Sequence, residues 1–178
     1  MSQNPHAVVT ALERIAAAEA VLGVRLDYQR EMATLGSPVL GHIQAITAMN
    51  RAAADAALPA AIRQFATLGA VQQDDCGECV QIHVNLDRAE GADPALLRAA
   101  LAGRPEDLPA PLGLAWRFGQ AVAANTPELE ALRQELEQHC GRAAMIELSF
   151  HIAVARFYPS VKRALGYAQT CALVQVAA

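Results

Sequence analysis

Apolar positions along this chain recur at steps of three and four, not two. Val8, Leu12 and Ile15 mark one side of a first helix, Ile62, Phe65 and Leu68 one side of another, and Leu129, Leu132 and Leu136 one side of a third. Alternating runs of β-branched and aromatic residues are absent, and Ala, Leu, Glu, Gln and Arg, all good helix formers, dominate. The pattern predicts an all-α chain. Breaks are expected at Gly23, Gly36-Ser37-Pro38, Leu58-Pro59, Asp74-Asp75, Gly91 to Pro94, Gly103 to Pro111, Asn125-Thr126-Pro127, Gly141 and Pro159-Ser160. They delimit roughly ten short helices. Pro59, Pro94 and Pro127 suit first helical positions, with Asp93 and Thr126 as caps before two of them.

Composition makes one compact domain the expectation, since 178 residues at 53% hydrophobic content supply ample core material. A net charge of -4 offers no basic field for phosphate backbones, so nucleic acid is set aside as a partner. Glu13 and Arg14 interrupt the first apolar stretch, which argues against a signal peptide. No window approaches the ~20 consecutive apolar residues of a membrane span. A soluble, cytoplasmic protein is expected. Four cysteines are too few for a disulfide scaffold, and two of them form a CxxC, which in a reducing compartment points to redox or metal chemistry.

That CxxC lies in Val71 to Glu90, VQQDDCGECVQIHVNLDRAE, where Asp74 or Asp75 can cap a helix expected to begin at Cys76. Steps of three and four lead from Cys76 to Cys79 and His83, so all three lie within a stripe of roughly 60°. Two cysteines so spaced can close a disulfide with little backbone movement. A thiol near its free pKa of ~8.5 is mostly protonated at pH 7, and only the thiolate attacks a peroxide or a disulfide. His83, one turn after Cys79, is placed to take the proton, and the helix N-terminus favours charge on Cys76. Asp74, Asp75 and Glu78 oppose thiolate formation.

The pattern C-x-x-C-x-x-x-H, with an amide residue twelve positions before the first Cys, resembles the AhpD-like alkylhydroperoxidases of the carboxymuconolactone decarboxylase superfamily. Leu58-Pro59 ahead of Arg63-Gln64, and Ile146-Glu147-Leu148 with Phe157-Tyr158 and Arg163, are similar to that family's flanking signatures. The resemblance implies a single all-helical domain over 1–178, with a core at about 58–163 and N-terminal helices 6–55 packed on it. It also implies homo-oligomers, trimers or multiples of them, and an apolar pocket reaching the dithiol. By the same resemblance Cys79 is the peroxidatic thiol, assisted by His83, and Cys76 resolves it. Hydroperoxide is the substrate and a dithiol, in AhpD borne on a lipoyl protein, is the electron donor; no cofactor or metal is implied. The family places a glutamate where this chain has Gln64, which can hydrogen-bond but not exchange a proton at neutral pH. Glu78 is the candidate replacement, although helical geometry points it roughly 160° from Cys76.

Other readings compete. A thiol-disulfide oxidoreductase or redox sensor without peroxidase turnover needs only the dithiol. A carboxymuconolactone-type decarboxylase generally lacks it. A zinc site would draw a fourth ligand from His139, Cys140 or His151, but three ligands on one helix face surround a tetrahedral ion poorly. Cys140 and Cys171 read as structural, Trp116 and Phe118 as core, Glu147 and His151 as an ordinary intrahelical pair, and Glu128 to Glu137 as a solvated face.

Overall fold

The computed structural model describes residues 5–52, 57–168 and 174–176; Cys171 lies outside them. Eight α-helices and one 3-10 turn make up the described residues, with no strand among them. The helices are α1 (Pro5–Leu22), α2 (Asp27–Thr34), α3 (Val39–Ala52), α4 (Ala60–Gln73), α5 (Gly77–Ala89), α6 (Pro94–Leu101), α7 (Ala110–Ala124) and α8 (Leu129–Ala164). The short turn Pro105–Asp107 stands between α6 and α7.

Most breaks fall where Gly and Pro place them, and the exceptions have physical causes. Pro159 does not end α8: it sits fully buried inside the helix, which runs on to Ala164. Tertiary packing there outweighs the hydrogen bond a proline removes. Gly141, at φ 83° and ψ 163°, interrupts the helix where its sequence suggests, leaving α8 as two arms joined at a kink. Asp93 caps α6 as expected, its side chain accepting from the Ala95 N–H at 2.7 Å. Thr126 does not cap α8, which starts at Leu129 behind Glu128, and the Thr126 hydroxyl is buried without a partner. Pro59 stands one residue before α4 and Pro127 two before α8; only Pro94 takes the first helical position.

Two apolar clusters organise these helices. The larger gathers Ile62, Phe65, Leu68 and Val71 of α4, Leu97 of α6, Trp116 and Phe118 of α7, and Leu136, Leu148 and Ile152 of α8. The smaller is built by α1 to α3, with Ile15, Tyr28, Met32, Leu40 and Ile43, closed by Phe157, Tyr158 and Val161 from the end of α8. Helix α5 serves both: Val80 and Val84 belong to the larger cluster, and Ile82 packs on the smaller.

At the centre of the larger cluster, α4 and α7 cross with their backbones in contact. A Cβ on Gly119 would lie 1.9 Å from the Ala66 carbonyl oxygen, and one on Gly69 would lie 2.3 Å from that of Trp116. One glycine from each helix therefore sets the crossing. The crossing fixes α4, which carries Arg63 and Gln64 along one side of α5.

Candidate functional site

Helix α5 begins one residue later than its sequence suggests. Cys76 is the N-cap, with φ -117° and ψ 89°, and the first helical residue is Gly77. Neither aspartate caps it. Asp74 closes the end of α4, Asp75 takes a left-handed φ of 47° in the turn, and the Cys76 side chain at the N-cap makes no capping hydrogen bond. Asp74 is instead buried and held by Arg156 of α8, whose Nε and Nη2 donate to its two carboxylate oxygens at 3.0 and 3.2 Å. Arg163 of α8 also donates to the Asp74 backbone carbonyl. The turn before the dithiol is thus anchored to the last helix by two guanidinium groups.

Cys76 and Cys79 are both reduced and buried, 3% and 4% exposed. The two thiols act on each other's charge more than any other group does. The Cys79 thiol stabilises a thiolate on Cys76, which holds its pKa down at about 6 against the cost of burial. The Cys79 backbone N–H and the charge of Lys162 act in the same direction, although that amide stops short of a full capping bond. Cys79, acted on first by Cys76 and then by burial, is pushed far up and stays protonated. These effects favour charge on Cys76, as helix-end electrostatics does, whereas the resemblance makes Cys79 the attacking thiol.

The cation beside the pair is one that sequence reasoning passed over. Lys162 is 5% exposed, reaches in from the end of α8 and forms an ion pair with Glu78. Burial works against its charge, but the bond to Glu78 and the charges of Cys79 and Cys76 outweigh it, and the ammonium is held above its usual range. Glu78 does not face away from the chemistry as an idle surface residue; it holds the lysine that faces the dithiol. Lys162 is the only lysine among the 14 basic Lys and Arg residues of the chain, a signal present in the sequence. A compact ammonium is the group to expect where a single sulfur must be faced, whereas a guanidinium suits planar acceptors. Tyr28 of α2 completes the surroundings. Burial drives its phenol up to about 12, with Tyr158, Cys79 and Cys76 adding to the rise, so it stays neutral next to the thiolate.

His83 and Gln64 lie in a second polar group further along α5. Gln64 is 4% exposed and donates from Nε2 to Glu90 at 3.0 Å, and Arg63 pairs with the same carboxylate at 2.6 Å. His83 is half-buried; burial and the Arg63 charge bring its pKa down to about 4, so the imidazole is neutral at pH 7. Asp87, one turn beyond His83, is 3% exposed, and its Oδ2 has no hydrogen-bond partner. Burial, with Glu90 adding and Arg63 opposing, raises its carboxyl to about 7.

The remaining candidates are occupied elsewhere. Cys140 donates from Sγ to the Leu136 carbonyl at 3.1 Å, and His151 Nδ1 hydrogen-bonds with Asn50 of α3 at 2.9 Å. His139 lines a surface cavity of about 300 Å³ with Ala110, Pro111, Leu114, Glu135 and Gln138, remote in sequence from the dithiol helix. A second hollow of about 150 Å³, between the ends of α4, α7 and α8, also excludes both cysteines. Among the described residues no group of three His, Cys, Asp or Glu side chains converges on a metal position. Nor is any described helix long and apolar enough to cross a membrane. Comparison of the chain with protein-family models, with curated proteins and with solved structures finds no match.

Proposed function

We propose that this protein is a dithiol oxidoreductase in which Cys76 and Cys79 cycle between the reduced pair and a disulfide. Within that class, the reading argued from the sequence motif is a thiol peroxidase of the alkylhydroperoxidase type acting on organic hydroperoxides. The observation that carries it is a pair of reduced, buried cysteines at the N-cap and in the first turn of one helix, with the buried Lys162 held beside them by Glu78. A sulfur and its resolving partner stand three residues apart at the start of α5.

In the proposed cycle the Cys76 thiolate attacks the terminal oxygen of the hydroperoxide. An S–O bond forms, the O–O bond breaks, and the alkoxide leaves as the alcohol after taking a proton. The Cys79 sulfur then attacks the Cys76 sulfenic acid; the S–S bond forms, the S–O bond breaks, and the thiol proton and the hydroxide leave as water. An external dithiol returns both sulfurs to the reduced state by exchange. A lipoyl-bearing protein is the donor the resemblance implies, and a homo-oligomer its assembly. The second reading, disulfide exchange without peroxide turnover, is favoured by Gln64, whose amide is committed to Glu90 and carries no exchangeable acid.

Stoichiometric mixing of the reduced protein with an organic hydroperoxide, followed by thiol counting and mass mapping, separates the two. The peroxidase reading expects loss of two thiols and a Cys76–Cys79 bridge. Thiol loss with a small disulfide but none with peroxide leaves only the exchange reading. Lys162→Gln is expected to move the pH midpoint of Cys76 alkylation above about 6, since one favourable charge is lost. An unchanged midpoint sinks the role given to the lysine.

A further inference from the structure

Resting on the dithiol reading, we infer that Asp87 is the proton-holding group behind His83, receiving through the imidazole the proton that Cys79 must lose when the disulfide closes. Cys79, His83 and Asp87 stand on successive turns of α5, each about 40° around the helix from the one before. The order runs from the resolving thiol to a buried acid with an imidazole between them.

Two observations point to Asp87 independently of that spacing. Its Oδ2 is buried with no hydrogen-bond partner, an arrangement a structural carboxylate avoids because an unpaired buried acceptor costs free energy. Such an atom is a vacant proton position. The second observation is Arg63, which reaches α5 from α4 and acts on both His83 and Asp87. Beside this guanidinium an imidazolium is disfavoured, so His83 passes a proton only by accepting one on one ring nitrogen while releasing another from the other. That exchange needs an acceptor on the far side. Gln64 provides none, being an amide bound to Glu90.

The charged groups facing Asp87 are Arg63 from α4 and Glu90 just past the end of α5, and these act in opposite senses. Near neutral pH the carboxyl is therefore present in both forms, able to accept and to release. In the closing step Cys79 gives its proton to His83 and its sulfur bonds to Cys76. His83 releases its other proton to the Asp87 carboxylate, the leaving group departs from Cys76 with the old bond's electron pair and is protonated by water, and Asp87 then returns its proton to solvent.

The test uses diamide as oxidant, so that it does not depend on peroxide chemistry. The Cys76 thiolate adds across the azo bond, and attack by Cys79 expels the hydrazine product. In the wild type the closure rate should rise with pH and bend near 7. Asp87→Asn, which imitates the protonated acid, should slow closure by roughly 100-fold and abolish that bend, because positioned proton transfer contributes about 10²–10⁴. Its Cys76 alkylation rate should stay within about two-fold of wild type, and Asp87→Glu should restore part of the closure rate with a displaced bend. An Asp87→Asn protein that keeps the wild-type bend, or that loses alkylation and closure equally, overturns the assignment. Closure with diamide but not with hydroperoxide removes the peroxidase reading and leaves Asp87 to be judged by the same profile. A wild type that closes with neither oxidant removes both.

Discussion

Gly119→Ala should destabilise the fold by more than about 3 kcal/mol, near or past the upper end of what overpacking usually costs. An alanine in a helix interior ordinarily gains about 1 kcal/mol over glycine. Here its Cβ would meet the Ala66 carbonyl oxygen at 1.9 Å, the Ala66 carbonyl carbon at 2.8 Å and the Ala70 amide nitrogen at 3.1 Å. All three are backbone atoms of α4, so no rotamer change relieves the clash, and the helices must separate through the middle of the larger cluster. Urea unfolding measures the loss directly. Gly41→Ala is the control, since nothing lies within 4 Å of its added Cβ and the residue sits in α3. It should be neutral or stabilising by up to about 1 kcal/mol. Equal stability of Gly119→Ala and the wild type would mean that α4 and α7 do not cross as described.

The largest effect on the reactivity of Cys76 itself is expected from Cys79→Ala. Its thiol is the first cause of the low Cys76 pKa, and without it burial should return Cys76 to at least the ordinary thiol range of ~8.5. At pH 6 the thiolate fraction then falls by roughly 100-fold or more. A more basic thiolate is intrinsically a better nucleophile, which recovers about ten-fold of this. Iodoacetamide should therefore label Cys76 about ten-fold more slowly at pH 6, with the profile's midpoint moved upward. Cys79→Ser keeps a hydroxyl donor and should hold much of the shift. A midpoint that does not move in Cys79→Ala contradicts the proton sharing, and a low midpoint found in Cys76→Ser instead would restore the order in which Cys79 carries the charge.

Much of this arrangement was legible in the chain. The all-helical class followed from three and four residue periodicity, and the stripes Ile62, Phe65, Leu68 and Leu132, Leu136 are buried as their spacing implies. Cys79 and His83 lie on one helix, while Cys76 stands at its N-cap with non-helical dihedrals, one residue outside the expected start. What sequence could not supply was the partner of each polar group. Glu78 meets Lys162 across 84 positions and Asp74 meets Arg156 across 82, distances over which no local pattern acts. The glycine contact was equally hidden, since Gly69 and Gly119 read locally as weak helix residues. Asp87 passed unnoticed because an aspartate near the end of a helix ordinarily reaches water, and only the folded chain shows it closed over.

The dithiol lies where α5 turns from the larger cluster to the smaller, with Tyr28 of the smaller one against it. A sulfur sealed at such a seam meets reagents only during excursions in which the seam parts, so its observed rate is the intrinsic rate multiplied by an opening constant. Helices α1 to α3 build the smaller cluster, which the end of α8 closes, and its local unfolding free energy is no greater than that of the whole chain. Both cysteines stand at the start of α5, so parting of the two clusters leaves the two sulfurs together. The cluster that contributes no reacting group would then act as the clock of the site.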